Sequence, residues 1–314
     1  MLNRVEIRGG LVALCGILLL VLVIVARPGL IPGGLLLQSL RFHILLAGLV
    51  LAALTIAFGA RWRGTAVLLV VLASAVHGGM LVWTLYERRA PIEAVPVADL
   101  RFLSFNVQTG NPRAEELVEA VLADPPDVML VMETPGVERY LDRLATVFPY
   151  SLGCADTDSC DISLHSRLPI EDGEVRRLPP FGQERLVMGR VVVGGAPVTI
   201  AGVHLSKPYF DQASWGELEF IGRTLEPVDG PMILAGDFNS ASWTSAMAMM
   251  TNRLELIPGP WAPATWPVRL GPLGVPIDNV FTRGNARLTT LESGDNYGSN
   301  HRPLWADVAI YGDE

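Results

Sequence analysis

The sequence predicts an α/β sandwich preceded by three transmembrane helices, and two observations support this prediction. Half of the 314 residues are hydrophobic and only 18% are charged, an average too apolar for a wholly soluble chain. The apolar residues are also unevenly placed. Three long apolar runs fill most of the first 86 residues, whereas short apolar segments alternate with helical patterns from residue 100 onward.

The three apolar runs cover about residues 9–26, 43–60 and 65–86. At a rise of about 1.5 Å per residue, helices of this length cross about 30 Å of hydrocarbon. Buried core helices are an alternative interpretation, and a cleaved signal peptide would explain the first run alone. Three such runs in succession favour a membrane anchor over residues 1–90.

Charge is distributed asymmetrically along the chain. Residues 91–314 contain 16 basic and 30 acidic residues, a net charge of −14, and Lys207 is the chain's one lysine. So acidic a region lacks the broad basic surface of a tight nucleic-acid binder. The arginines that flank the apolar runs divide four against four, so the positive-inside rule sets no orientation. The sequence indicates no particular oligomeric state.

Residues 91–99, with Pro91 and Pro96, indicate a linker, and residues 100–314 indicate one further domain. Helical spacing predicts helices over 113–123 and 211–225. The Pro-, Gly- and Trp-rich stretch 258–276 predicts a long loop. Apolar segments predict strands over 100–107, 127–132, 161–165, 186–193, 197–203, 231–236, 277–281 and 303–310.

Polar side chains adjoin the ends of these predicted strands, where a sandwich presents side chains to a shared cleft. Carboxylate and amide oxygens suit a hard cation such as Mg²⁺, and histidines add proton carriers. A metal, a histidine and a carboxylate together fit hydrolysis of a phosphate ester by water. Taken singly, each residue also has a structural interpretation, such as a helix cap or a turn. The residues are Asn106, Glu133, His204, Asp237, Asn239, Asp278 and His301.

In their order along the chain, the motifs around these residues resemble the endonuclease/exonuclease/phosphatase superfamily. The resemblance covers roughly residues 98–312 and implies a four-layered, deoxyribonuclease I-like α/β sandwich. It also implies metal-dependent hydrolysis of a phosphodiester or a phosphomonoester. The matching blocks are Phe105-Asn106-Val107, Met132-Glu133, Gly202-Val203-His204-Leu205, Gly236-Asp237-Phe238-Asn239, Ile277-Asp278-Asn279 and Ser299-Asn300-His301-Arg302-Pro303.

The resemblance implies a metal site and a group that prepares the attacking water. Asn106 and Glu133 would hold Mg²⁺, with Mn²⁺ as an alternative cofactor. Asp237 would orient or activate the water, and Asn239 would bond a phosphate oxygen. Arg167, which lies in a further matching block, and Lys207 are candidate phosphate-binding residues.

The resemblance also implies a role for each of two histidines. His301 would contact the scissile phosphate, with Asp278 bonded to its other ring nitrogen. His204 matches the branch with a second histidine, which serves as an acid near the leaving group. Which histidine is the acid and which is the base stays open. Asn300 stands where many members have Asp, which removes a negative charge beside His301.

The expected function is therefore that of a membrane-anchored, Mg²⁺-dependent phosphoesterase whose partners are a phosphate-ester substrate and a lipid bilayer. The alternatives are a nuclease acting on DNA or RNA, or a catalytically inactive binding or scaffold protein of the same fold. A catalytically inactive member of the family would be expected to have lost at least one of these site residues. All of them are present, which favours an enzyme.

Two cysteines bear on the location of the domain. Cys154 and Cys160 lie in one polar loop that could bring both sulfurs within bonding reach, and disulfides persist in oxidising compartments. Three spans with a cytoplasmic N-terminus would place the catalytic domain outside the cytoplasm. We therefore expect a multi-pass membrane protein with an extracytoplasmic catalytic domain and a Cys154–Cys160 bridge. Two free thiols are the alternative.

Overall fold

The computed structural model describes residues 3–154, 161–209 and 213–312. Cys160 lies outside the described residues, so the Cys154–Cys160 bridge stays a prediction. The helices are α1 (Arg4–Ala26), α2 (Gly34–Ser39), α3 (Arg41–Ala57), α4 (Arg61–Tyr86), α5 (Ala114–Ala123), α6 (Leu141–Ala145), α7 (Ala213–Leu225) and α8 (Ser245–Arg253).

Twelve strands are described. They are β1 (Ala98–Asn106), β2 (Val128–Met132), β3 (Tyr150–Leu152), β4 (Ile162–Ser166), β5 (Glu171–Leu178), β6 (Gln183–Val193), β7 (Ala196–His204), β8 (Met232–Asp237), β9 (Ile257–Pro258), β10 (Asp278–Arg283), β11 (Ala286–Ser293) and β12 (Leu304–Ile310). They form two six-stranded mixed sheets, in the orders β11-β12-β1-β2-β4-β3 and β5-β6-β7-β8-β10-β9.

The two sheets pack face to face and are each covered by helices, so the sandwich has four layers. Between the sheets lies an apolar cluster that includes Phe102 of β1 and Ile233 of β8. Leu117 of α5 packs on the outer face of the first sheet. Leu218 of α7 and Met250 of α8 pack on the outer face of the second. The predicted α/β sandwich is confirmed, with two mixed sheets.

Strand register brings the polar strand ends to one edge of the sandwich. β1 and β2 are parallel with Asn106 opposite Met132, so Glu133 follows directly beside Asn106. β7 and β8 are parallel with His204 opposite Asp237. β10 runs antiparallel to β8, which places its first residue, Asp278, opposite Asp237 as well.

The N-terminal region forms a bundle of three long helices. α1 and α4 contain 23 and 26 residues and are long and apolar enough to cross a membrane, judged by length and composition. α3 is also apolar but has 17 residues, because it ends at Ala57 rather than at residue 60. Two of the three predicted spans therefore reach the required length, and the middle run forms a shorter helix.

The segment that joins α1 to α3, residues 27–40, packs against the sandwich, and we call it the docking loop. Its Leu35 lies in the apolar cluster formed by α7, α8 and the second sheet. At the end of α4, Arg88 donates to the carbonyl of Thr251 at 2.6 Å, and Arg89 donates to that of Pro258 at 2.7 Å. The bundle and the sandwich are thus joined at two places on one side.

Candidate active site

Asp237, the last residue of β8, lies at the centre of the polar cluster and is 1% exposed. Its Oδ2 accepts a hydrogen bond from Asn106 Nδ2 at 3.0 Å and lies 3.7 Å from the Nε2 atoms of both His204 and His301. Burial, together with the nearby charge of Asp278, raises the pKa of the Asp237 carboxyl. Asn106, His204 and His301 thus converge on one buried carboxylate.

The backbone around Asp237 is tightly constrained. Gly236 has φ 140°, and a Cβ at this position would meet the carbonyl oxygen of Val203 at 1.9 Å. Asn239 adopts a left-handed conformation with φ 48°. Its backbone N–H donates to Asp237 Oδ1, and its side chain donates to the carbonyl of Leu205, both at 2.8 Å. Such backbone persists only where the surroundings hold it, and it clusters at functional sites.

His301 and Asp278 form a buried pair. The His301 Nδ1 lies 2.9 Å from Asp278 Oδ2, which leaves Nε2 facing Asp237. Burial opposes the charged ring, but the carboxylates of Asp278 and Asp237 outweigh it and raise the pKa of His301 to about 9. Ser299 ties this loop to β1, since its hydroxyl donates to the Asn106 carbonyl at 2.7 Å and accepts from the His301 N–H at 3.0 Å.

His204 forms a second histidine–aspartate pair that sequence analysis missed. Its Nδ1 lies 2.6 Å from Asp161 Oδ2, and the guanidinium of Arg185 lies 3.2 Å from the same oxygen. Burial disfavours the charged ring, but the bond to Asp161 outweighs it and raises the pKa of His204. Asp161 immediately precedes β4, and its carboxylate is the signal in the sequence that marks it, although apolar spacing alone assigns it to the start of that strand.

Glu133 follows β2 and also has left-handed backbone, with φ 54°. Burial alone would raise the pKa of its carboxyl, but hydrogen bonds outweigh burial and lower it. The Thr109 N–H donates to Oε2 at 2.6 Å, and Asn106 Nδ2 donates to Oε1 at 3.3 Å. Glu133 is therefore an ionised, half-buried carboxylate beside Asp237.

The oxygen donors around Asp237 fit a divalent cation. Glu133 and Asp237 flank the amide of Asn106, and oxygen donors of this kind suit Mg²⁺. Asn106 turns its nitrogen toward the two carboxylates, while its oxygen accepts from the Gln108 N–H, so it stays a predicted ligand. Ligand atoms of Asp237, Asp278 and His301 also lie within 4.8 Å of one another. Asp278 Oδ1 is buried without a hydrogen-bond partner among the described residues, which leaves it free to bind a cation.

Lys207 lies beside the cluster, whereas Arg167 does not. Lys207 lines a cleft of about 480 Å³ together with Glu133, Asp161 and His204. Arg167 follows β4 at the edge where β2 begins, and it pairs with Asp127 at 3.4 Å. The length of β2 separates that edge from Glu133 by about 16 Å.

This placement means that Lys207 can meet a phosphate in the cleft, while Arg167 is not brought to the site. β4 runs antiparallel to β2, so its C-terminal end points away from the cluster. Asn300 is exposed at the rim of the cluster, and its N–H donates to the side chain of Gln108 at 2.9 Å. Its contact thus holds the loop before His301 against the segment that follows β1.

Known structures share this architecture. D. rerio TDP2 complexed with a single-strand DNA product superimposes with a TM-score of 0.59 at 17% identity, over 68% of this chain and 99% of that one. Sphingomyelinase C from Streptomyces griseocarneus gives 0.50 at 17% identity, over 67% and 99%. A beta toxin variant from Staphylococcus aureus with bound magnesium ions gives 0.51 at 16% identity, over 68% and 100%. At these identities the similarity establishes the fold.

The sequence itself gives a more specific result. No curated protein matches the chain. The family model described as "Endonuclease/Exonuclease/phosphatase family" matches residues 103–301, well over half of the chain, and this range runs from β1 to the histidine that faces Asp237. Members of this family are metal-dependent phosphoesterases. The chain therefore belongs to the endonuclease/exonuclease/phosphatase family.

Proposed function

We propose that this protein is a membrane-anchored, Mg²⁺-dependent phosphoesterase that hydrolyses a phosphodiester by metal-assisted attack of water. The observation that carries the proposal is the position of Asp237. This buried carboxylate lies between two histidine–aspartate pairs and beside the oxygen donors of Glu133.

Each group has a separate task in this proposal. Glu133, with Asn106, would hold the cation, which would supply a Lewis acid to the phosphoryl oxygen when it is bound. Asp237 orients the attacking water and accepts its proton, since burial has raised the pKa of its carboxyl. Asn239 lies two residues later, where the remaining amide hydrogen of its side chain serves as a donor to a phosphate oxygen.

The histidines supply positive charge and a proton. With a pKa of about 9, the His301 ring is protonated at neutral pH and stabilises negative charge that develops on the phosphate. His204 lines the cleft that contains Lys207, where it can donate to the leaving oxygen. Both Nε2 atoms lie 3.7 Å from Asp237 Oδ2, so the geometry favours neither histidine as the acid.

The test uses the full chain in detergent with bis-p-nitrophenyl phosphate, and with p-nitrophenyl phosphate to separate diesterase from monoesterase activity. We expect turnover with Mg²⁺ or Mn²⁺, none in EDTA, and loss of turnover in Asp237→Asn and His301→Gln with the fold retained. Full activity in chelator would exclude the metal role. A folded wild-type protein that turned over neither substrate nor any lipid or nucleic-acid phosphodiester would favour the scaffold alternative.

The proposal that the helices lie in a bilayer rests on their outward faces. Only 17% of the most apolar 18-residue stretch of α1, and of α4, is buried, whereas the core helix of a soluble protein is mostly buried. Exposed apolar surface of this extent is unfavourable in water and favourable in lipid. We expect the protein to stay in the membrane pellet after an alkaline wash. The exposed residues include Leu14, Ile17, Leu20, Val23, Leu46, Val50, Leu54, Leu69, Leu72, Val76 and Met80.

The arrangement of arginines supports an extracytoplasmic catalytic domain. At the end of the bundle away from the sandwich, four arginines are exposed: Arg4, Arg8, Arg61 and Arg63. At the near end Arg27 is also exposed, but Arg41 is 1% exposed, and Arg88 and Arg89 bond to carbonyls of the sandwich. Free positive charge is thus concentrated at the far end, which the positive-inside rule assigns to the cytoplasm. A reporter fused after Glu314 that is active only in the cytoplasm would contradict this topology.

A further inference from the structure

The docking loop makes polar contacts with the segment that follows the catalytic strand β8. Gln38 is 3% exposed, and its Oε1 accepts from both the N–H and the hydroxyl of Ser245, at 3.0 and 2.9 Å. Its Nε2 donates to the carbonyl of Val25 in α1 at 2.8 Å. One buried amide therefore links the end of α1 to the start of α8, with both its donor and its acceptor in use.

Two further hydrogen bonds hold the loop between β8 and α8, residues 238–244, which we call the β8–α8 loop. Ser39 is 2% exposed, and its hydroxyl accepts from the Ala241 N–H at 3.1 Å. The indole N–H of Trp243 donates to the carbonyl of Gln38 at 3.0 Å. These bonds occupy the buried N–H of Ala241 and the half-buried indole N–H of Trp243, and leaving a buried donor unpaired is costly.

Apolar contacts surround these hydrogen bonds of Gln38 and Ser39. Leu40 packs against a cluster that contains Ala241, Val275 and Ile277. The ring of Phe42, in the first turn of α3, meets the ring of Trp243 edge-on with centroids 4.9 Å apart. The β8–α8 loop therefore has the docking loop on one side, while on the other the Phe238 N–H donates to the Ile277 carbonyl at 3.0 Å.

The β8–α8 loop contains a site residue with left-handed backbone. Asn239 lies one residue after Phe238 and two residues before Ala241, and it holds left-handed backbone with φ 48°. Its N–H bonds the Asp237 carboxylate, so movement of the loop would also move Asp237. Strained backbone is kept only when neighbouring contacts over-determine it, and a shift of about 1 Å in a positioning group can cost about 10²-fold in rate.

We propose that the docking loop is a working part of the active site, in which Gln38 and Ser39 clamp the β8–α8 loop and thereby position Asn239 and Asp237. This inference rests on the proposed phosphoesterase function of that site. Gln38 is a positioning residue, because it touches neither substrate nor metal and acts through Ser245 and Trp243. The helical bundle then supports catalysis by positioning active-site residues, in addition to any role in attaching the protein to a membrane.

The experiment compares full-length variants in detergent with bis-p-nitrophenyl phosphate and Mg²⁺. Gln38→Met keeps the side-chain length and removes its hydrogen bonds, so we expect kcat to fall about tenfold while KM changes less than about twofold. Gln38→Glu keeps an acceptor for Ser245 and should retain more of the wild-type kcat. Ser39→Ala, a smaller change, provides a second probe if Gln38→Met does not fold.

The matched control is Thr55→Val. Thr55 is buried inside the bundle, where its hydroxyl donates to the Leu51 carbonyl at 2.8 Å and lies 3.3 Å from Cys15 Sγ. This change perturbs the bundle without removing a contact to the sandwich, so kcat should stay near wild type. Hydrogen exchange adds a readout independent of turnover: the amides of Ala241 and Ser245 should exchange faster in the docking-loop variants and not in Thr55→Val.

The possible outcomes distinguish the positioning role of the docking loop from the phosphoesterase function on which it rests. Faster exchange at Ala241 and Ser245 with an unchanged kcat would overturn the positioning role, as would an equal loss of kcat in Thr55→Val. A wild-type protein without Mg²⁺-dependent turnover would overturn the phosphoesterase proposal, and with it the catalytic part of this inference. The exchange data would still show whether the clamp holds the loop.

Discussion

At the scale of single residues, the charge on His301 depends on the carboxylates around it. Burial alone would lower the pKa of this ring, yet Asp278 and Asp237 raise it to about 9. In metal-free protein, Asp278→Asn should therefore bring the pKa of His301 well below 9, because the nearest negative charge is lost and burial remains. Histidine NMR titration in EDTA measures this directly. An unchanged pKa in the variant would show that Asp278 is not the source of the shift.

His204 should depend on Asp161 in a comparable way. Asp161→Asn removes the charge 2.6 Å from Nδ1, so the ring loses both its orientation and part of its proton affinity. We expect kcat to fall by about 10- to 100-fold, less than the roughly 10²- to 10⁴-fold that a general acid or base itself contributes, because Asp161 acts through His204. Asp124→Asn is the control, because Asp124 forms an exposed pair with Arg101 away from the site. Equal losses in both variants would contradict a specific role for Asp161.

His165 predicts a pH dependence of stability. It is buried in β4, where its Nε2 lies 2.9 Å from the hydroxyl of Ser163, and burial lowers the pKa of its ring to about 4. The unfolded ring binds a proton near pH 6.5, so its contribution to stability is complete above that pH and is lost as the pH falls toward 4. The loss is about 3 kcal/mol at most.

Thermal unfolding measured between pH 7 and 4 tests this expectation. His165→Gln should flatten the pH dependence across this window, because the amide side chain does not titrate. A variant that loses as much stability as the wild type between these pH values would place the acid sensitivity elsewhere in the chain.

At the scale of elements, the close approach of β7 and β8 depends on one glycine. Gly236→Ala would place a Cβ 1.9 Å from the Val203 carbonyl oxygen at φ 140°, so we expect a loss of at least about 2 kcal/mol. Gly216→Ala, in α7, has nothing within 4 Å of the added Cβ and should be neutral or slightly stabilising. Chemical denaturation measures the free energy of unfolding of the two variants. Equal values would contradict the dependence of the β7–β8 contact on Gly236.

The elements also show what could be predicted from the sequence. Apolar strands that are buried on both faces, such as β2 and β8, were found because their apolar runs are continuous. β5 was missed, because it is a largely exposed edge strand whose charged residues show no apolar pattern. α8 was missed for a related reason, since its short sequence of Ser, Ala, Met and Thr is weakly amphipathic.

The candidate site was predicted where residues follow strands of known direction. Asn106 and Glu133 end one parallel pair of strands, His204 and Asp237 end another in the second sheet, and the packing of the two sheets brings the pairs together. Arg167 was misplaced because the antiparallel direction of β4 is a tertiary property that local sequence does not contain. Asp161 was missed for the same reason: β4 begins at the edge where β2 ends.

At the scale of the whole molecule, charge bears on the choice of substrate. Residues 91–314 carry a net charge of −14, and nonspecific affinity for nucleic acid comes from lysines and arginines that neutralise phosphates. The helical bundle would also hold the cleft near lipid substrates, which raises their effective concentration. We therefore expect a higher kcat/KM for a phosphodiester lipid than for duplex DNA at about 150 mM salt. A clear preference for DNA would instead support the nuclease alternative and leave the metal chemistry intact.

The two-point attachment of bundle to sandwich determines how far the enzyme can reach. A catalytic domain joined by a flexible linker would move through a wide volume. Arg88, Arg89 and the docking loop instead hold this domain in a fixed orientation relative to the bundle. A short Gly-Ser insertion after Glu93, in the exposed linker, should therefore leave turnover unchanged. The cleft would then operate at one constant height above the lipid surface. Its substrates would be those whose phosphate arrives at that height by lateral diffusion, as a lipid headgroup does.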